Sequence, residues 1–229
     1  LGASSVTATN PDIRIGTDLA SYANSSWTPP TSGIIILAVH NYIADCGNVP
    51  TVSGNGLTWT NITSVCVDPG QAERITIFAT DAAGSSAGVT TADFAAQTQL
   101  GCRMLFSAAT GVDVSGGIAA AFVQTPTNNG TATSGSVTLA AAGNSDARPY
   151  ATFTHSANEA TAPDAAWTEL DDVNTAGPSV GSESQMDNDG FQNASASWTT
   201  SSTWLAIAAE LKATAAGATT GPGWWGQVW

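Results

Sequence analysis

Short runs of β-branched and aromatic residues recur about every 10–15 positions along this chain, each closed by Gly, Pro, Asn or Asp, and that punctuation constrains the fold to β-strands. No window sustains the 3.6-residue apolar period of an amphipathic helix. The runs at 4–9, 33–42, 57–65, 74–80, 89–94, 102–110, 120–124, 136–141, 150–155, 167–170, 194–198 and 204–212 predict about twelve strands. That many short strands bury their apolar faces most simply as two antiparallel sheets packed together, an all-β sandwich. The polar stretch 125–134 (TPTNNGTATS) and the acid-rich 180–193 are expected to be loops. No repeat of fixed period is visible, which speaks against a solenoid or a propeller.

Alternation assigns the faces. In 74–80, Ile75 and Ile77 share one side, with Arg74 and Thr76 on the other. In 204–212, Leu205, Ile207 and Leu211 point inward, with Glu210 and Lys212 opposite at a wet end. Ile34, Ile35, Ile36, Leu37 and Val39 depart from this pattern, being apolar on both faces. In an antiparallel sandwich such a strand needs a cover on its second face, either a long loop or a neighbouring subunit.

A chain of 229 residues suits one sandwich domain, residues 1–212, followed by a linker and tail at 213–229. Charged residues are only 10% of it, and the net charge is −13. A phosphate backbone or an anionic bilayer calls for a Lys/Arg footprint, so nucleic acid is excluded as a partner. The longest strongly apolar run, 34–39, is far shorter than the ~20 residues of a spanning helix, so no membrane insertion is expected. Of the three cysteines, Cys46 and Cys66 lie near the ends of neighbouring strands, where a disulfide is one reading, and Cys102 packs as a small apolar residue. No C-x-x-C pair completes a zinc set, and no cofactor is expected.

Four patterns invite a chemical reading. Residues 84–88 spell G-S-S-A-G with Ser86 at the nucleophile position, but a strand rather than a helix comes next, so a hairpin turn is the expected structure. His40 and His155, the only histidines, sit in strands without an acidic neighbour in sequence and are expected to be structural. Asp187 and Asp189, with Asp171 or Asp172, offer carboxylates for a loop calcium, although the EF-hand pattern fails at Gln185 and Ala196. Trp27, Trp167 and Trp198 near loop boundaries are candidates for stacking sugars, as in a secreted carbohydrate-binding module with a surface glycan as partner.

The segments GNGLTWT (54–60), ERITIFA (73–79), GCRMLFSAATGVD (101–113), SGSVTLAAAGN (134–144), AAWTEL (165–170) and SASWTTSSTWLAIAAELKA (195–213) resemble, in this order, a β-sandwich domain common among phage structural proteins. The resemblance implies a jelly-roll-like sandwich displayed on a particle surface. It carries over no catalytic residue, and an enzyme is not expected.

Beyond the resemblance, residues 221–229 read GPGWWGQVW on a tether of Ala, Thr and Gly. Trp224, Trp225, Val228 and Trp229 supply enough apolar area to anchor the segment against another surface. These features predict a non-enzymatic structural subunit, located extracellularly or on a virion surface: a phage decoration, fibre or tail-surface protein whose partners are its own copies or other particle proteins. A self-polymerising subunit of a bacterial extracellular filament is the alternative, since a contact that does not close on itself propagates.

Overall fold

The computed structural model describes residues 5–9, 13–15, 18–43, 46–67, 72–142, 147–174, 181–187 and 193–214. The doubly apolar strand predicted at 33–42 becomes β4 (Ile34–Ile43), the centre of the first sheet. It is flanked by β7 (Ala72–Asp81) and β9 (Gly101–Thr110), both antiparallel. β6 (Thr60–Val67) forms one edge; β1 (Ser5–Ala8) and β2 (Ile13–Ile15) share the other, giving the order β1-β9-β4-β7-β6. The cover on its second face comes from within the chain. β3 (Ser21–Ala23), β8 (Thr90–Asp93) and β5 (Thr51–Gly54) form a small sheet in the order β3-β8-β5, and Tyr22, Trp27, Leu37, Phe94 and Phe106 fill the space between the layers.

The other half of the chain makes the second sheet. Its strands are β10 (Phe122–Gln124), β11 (Thr127–Val137), β12 (Arg148–His155), β13 (Ala162–Pro163), β14 (Trp167–Val173), β15 (Gly181–Asp187) and β16 (Ala194–Leu211), in the order β10-β16-β12-β15-β14. Ile34, Ile36, Ile75 and Ile77 from the first sheet meet Tyr150, Leu205, Ile207 and Leu211 from the second in a shared core. Every strand pairing among the described residues is antiparallel, and the fold is a β-sandwich.

The two halves follow one plan. Substituting β10, β16, β12, β15 and β14 for β1, β9, β4, β7 and β6 converts one strand order into the other. The ladders agree residue by residue: Thr60 faces Ala79, Ala79 faces Ile36 and Ile36 faces Ser107, just as Thr168 faces Met186, Met186 faces Tyr150 and Tyr150 faces Ala209. Each outer strand carries a bulge at the same place, two residues after the Trp-Thr pairs Trp59-Thr60 and Trp167-Thr168, and the bulged Ile62 and Leu170 both pack on the shared core. The small sheet recurs as well, since the start of β16 pairs with the end of β11 and with β13, as β8 pairs with β3 and β5. Each half is thus a jelly-roll-like unit, and the halves meet through their larger sheets.

Several sequence expectations are corrected. The twelve strands become β1–β16, because short strands such as β3, β5 and β13 carry little pattern of their own. The loop expected at 125–134 lies mostly in β11, whose polar residues suit an exposed strand paired along β16. The acidic loop at 180–193 contains β15, which pairs on both sides, with β12 and β14; backbone pairing there outweighs the low strand propensity of Ser, Glu and Asp. The runs 194–198 and 204–212 are one strand, β16. Arg74 and Glu210, expected on wet faces, are buried at 7% and 1% exposure, because extra layers cover both sheets.

Residues 111–121 carry the chain from β9 to β10. Val112 bridges Ala213, Asp113 N donates to Lys212 O at 2.8 Å, and Thr214 N donates to Gly111 O at 2.8 Å. The chain therefore leaves the second half alongside the segment that leaves the first. Lys212 Nζ pairs with Asp113 Oδ2 at 2.8 Å, and the 3₁₀ turn Ala119–Ala121 delivers Phe122 to the shared core.

Candidate functional site

Alternation puts Glu73 on the same face of β7 as Ile75 and Ile77, and His40 on the same face of β4 as Ile36, so both enter the space between the large sheets. Arg103 joins them from β9, directly opposite His40. Glu73 is fully buried, and His40 and Arg103 are each 2% exposed. His40 Nε2 shares a 2.8 Å hydrogen bond with Thr152 Oγ1 of β12, and Arg103 Nε donates to Val173 O of β14 at 3.2 Å. Each tie joins one half of the chain to the other.

Glu73 and His40 are both strongly perturbed titratable groups. Burial pushes Glu73 up to about 8, partly countered by the positive charge of Arg103. Burial and the same guanidinium hold His40 down to about 3. Both Glu73 oxygens and His40 Nδ1 are buried without a protein partner. At neutral pH the cluster is a largely protonated carboxyl, a neutral imidazole and one guanidinium charge. The His40–Thr152 and Arg103–Val173 hydrogen bonds tie the two sheets together, and a slipped sheet would break both in an apolar core, whereas Glu73 adds a buried carboxyl without a protein partner.

The residues singled out in the sequence do not assemble into one site. His155 lies on the far face of the second sheet from His40, stacked on Trp198 with centroids 4.6 Å apart and bonded through Nε2 to Thr161 Oγ1 at 3.0 Å. Thr161 N in turn donates to Asp172 Oδ2 at 3.2 Å, and burial raises Asp172 to about 6. Ser86 is exposed in the turn between β7 and β8, its N–H bonded to Asn55 O at 2.9 Å, in a layer that contains neither histidine. Asp171 and Asp172 are consecutive on a strand and point to opposite faces; Asp187 ends β15, and Asp189 lies outside the described residues. No group of three or more His, Cys, Asp or Glu able to hold a metal occurs among the described residues.

Trp27, Trp167 and Trp198 are only 8%, 5% and 7% exposed, so none presents a ring face to a sugar. Trp27 packs on Phe106, and the other two lie in the core of the second half. Cys46 and Cys66 are joined in a disulfide with Cα atoms 6.0 Å apart; Arg74 Nη2 donates to Cys46 O at 2.8 Å and seals the loop. Cys102 is a buried free thiol, as expected of a small apolar residue. Trp224, Trp225, Val228 and Trp229 lie outside the described residues.

Sequence reasoning missed the Glu73–His40–Arg103 cluster, although its signal was present. Glu73 and Arg103 are charged residues at inward positions of the apolar runs ERITIF and GCRMLF. No family model, no curated protein and no solved structure matches this chain.

Proposed function

We propose that this protein is a non-enzymatic structural subunit of an extracellular or virion-surface assembly, joined to its neighbours by residues 221–229. The observation that carries this reading is where the chain leaves the sandwich. Ala213 and Thr214 are tied to Val112 and Gly111 beside the segment linking the halves, so the tail starts from the rim shared by both large sheets. Residues 213–223 contain only Ala, Thr, Gly and Pro. At roughly 3.3 Å per extended residue such a tether reaches about 35 Å, enough to cross a subunit boundary before the first tryptophan. The body suits exposure outside a reducing compartment through its disulfide, and its single lysine is held in an ion pair with Asp113.

In the reading as a phage decoration, fibre or tail-surface protein, this anchor adds the chain to a particle. A contact between the tail of one copy and a different surface of the next produces a filament. Truncation after Thr220 tests the reading. The shortened chain is expected to keep the circular dichroism and melting behaviour of the sandwich while losing self-association and addition to particles. Undiminished assembly by the truncated chain overturns the proposal.

A further inference from the structure

The two-fold plan of the fold repeats, in the first half, the seat that Phe122 fills in the second. In the first half, β9 ends at Thr110, eleven residues connect onward (111–121), and Phe122 then pairs with Leu211 on the edge of β16, entering the shared core. The ladders make Ser107 the counterpart of Ala209, so Ala109 corresponds to Leu211. Counting on from β16 at the same offset, residues 213–223 match the eleven-residue connection and Trp224 falls at the position of Phe122. The edge of β9 that corresponds to Phe122's seat lies opposite Ala109. Val6 of β1 occupies it, buried at 1% exposure in the same core as Phe122.

We propose that residues 224–228 of one copy add as an antiparallel strand to the outer edge of β9 in a second copy, with Trp224 in the Val6 seat in place of β1 and the added strand ending short of Met104, which Ile13 of β2 already faces.

Three observations favour this exchange. β1 is a four-residue strand, SVTA, whose one large apolar side chain is Val6; WWGQVW offers Trp224 and Val228 on one face with Gly226 between them. In the register Val6 defines, Gly226 falls opposite Ser107 and Val228 opposite Leu105. The connection within the molecule is held down by apolar residues, Val112 at 8% exposure with Val114 and Ile118 packed on the shared core, whereas the matching positions of the tether are Thr214, Ala216 and Thr220. A tether without those anchors suits crossing to another molecule better than lying along its own.

The inference rests on the assembly reading and names its receiving surface. Full-length chains carrying Ser107→Cys and Gly226→Cys separately are mixed and oxidised. The expected product is a disulfide-linked dimer joining residue 107 of one chain to residue 226 of the other, mapped by mass spectrometry, and a ladder of copies from the double variant. A double variant that closes only within its own chain, or an absent 107–226 bond in variants with native circular dichroism, overturns the proposal. Val6→Asp in the full-length double variant provides a second readout, because loosening β1 frees the seat. The rate of linkage is expected to rise about tenfold; an unchanged or lower rate refutes displacement of β1. If truncation after Thr220 abolishes assembly while no 107–226 bond forms, the assembly reading stands and this seat is wrong.

Discussion

Replacing Glu73 with Gln keeps the shape of the side chain and removes its charge, which makes the alkaline limb of stability a direct test of the buried cluster. Glu73 has no protein partner for either oxygen, and burial raises it from 4.5 to about 8. A carboxyl whose proton is held more tightly in the folded state contributes stability that is complete below pH 4.5 and is lost as pH rises through 8. At about 1.4 kcal/mol per tenfold change in proton affinity, the loss between pH 6 and pH 8 is on the order of 3 kcal/mol. For a chain of this size that is a fall of roughly 6–12 °C in melting temperature. His40, held at about 3, acts with the opposite sign: its contribution is complete above 6.5 and disappears as pH falls through 3. The two slopes oppose each other between pH 4.5 and 6.5, so a stability plateau is expected there. Scanning calorimetry of wild type and Glu73→Gln from pH 5 to 9 reads the difference. The variant should lose most of the alkaline decline. Parallel curves for the two proteins would refute the assignment of that decline to Glu73.

Three further outcomes are expected. Replacing Cys46 and Cys66 together by Ser removes a cross-link across a sequence separation of 20, which should cost about 3 kcal/mol in urea unfolding; a loss below about 1 kcal/mol contradicts a chain-entropy role for the bond. A Cβ at Gly135 would lie 2.6 Å from Trp204 Cε3, so Gly135→Val should cost about 1–3 kcal/mol, and adding Trp204→Leu should recover part of that loss when the two are compared by chemical denaturation. Ser86→Ala, in an exposed turn, should leave stability within about 0.5 kcal/mol of wild type; a larger change would mean the hydroxyl has a role the turn does not require.

The strands richest in β-branched and aromatic residues were legible from the chain itself: 33–42, 74–80 and 102–110 became β4, β7 and β9 nearly unshifted. β15 was not, because Gly181–Asp187 has the composition of a solvated loop and becomes a strand only between two partners. The cover over β4 was foreseen as a requirement but not as three short strands folded back from the same half. The titratable cluster lay within reach of the alternation rule, since Glu73 shares the parity of Ile75 and Ile77. That it meets His40 and Arg103 depended on how β7, β4 and β9 line up.

Periodicity and turn residues are local quantities, and they were enough to establish an all-β chain and the apolar faces of its best strands. The duplicated strand order, the burial of Arg74 and Glu210 and the clamp between the sheets were decided only in three dimensions. Backbone hydrogen bonds hold a strand in its ladder whatever side chains it carries. Two halves can therefore keep one topology, down to the bulges beside Trp59 and Trp167, although matching pairs such as Ile36–Ser107 and Tyr150–Ala209 carry different side chains.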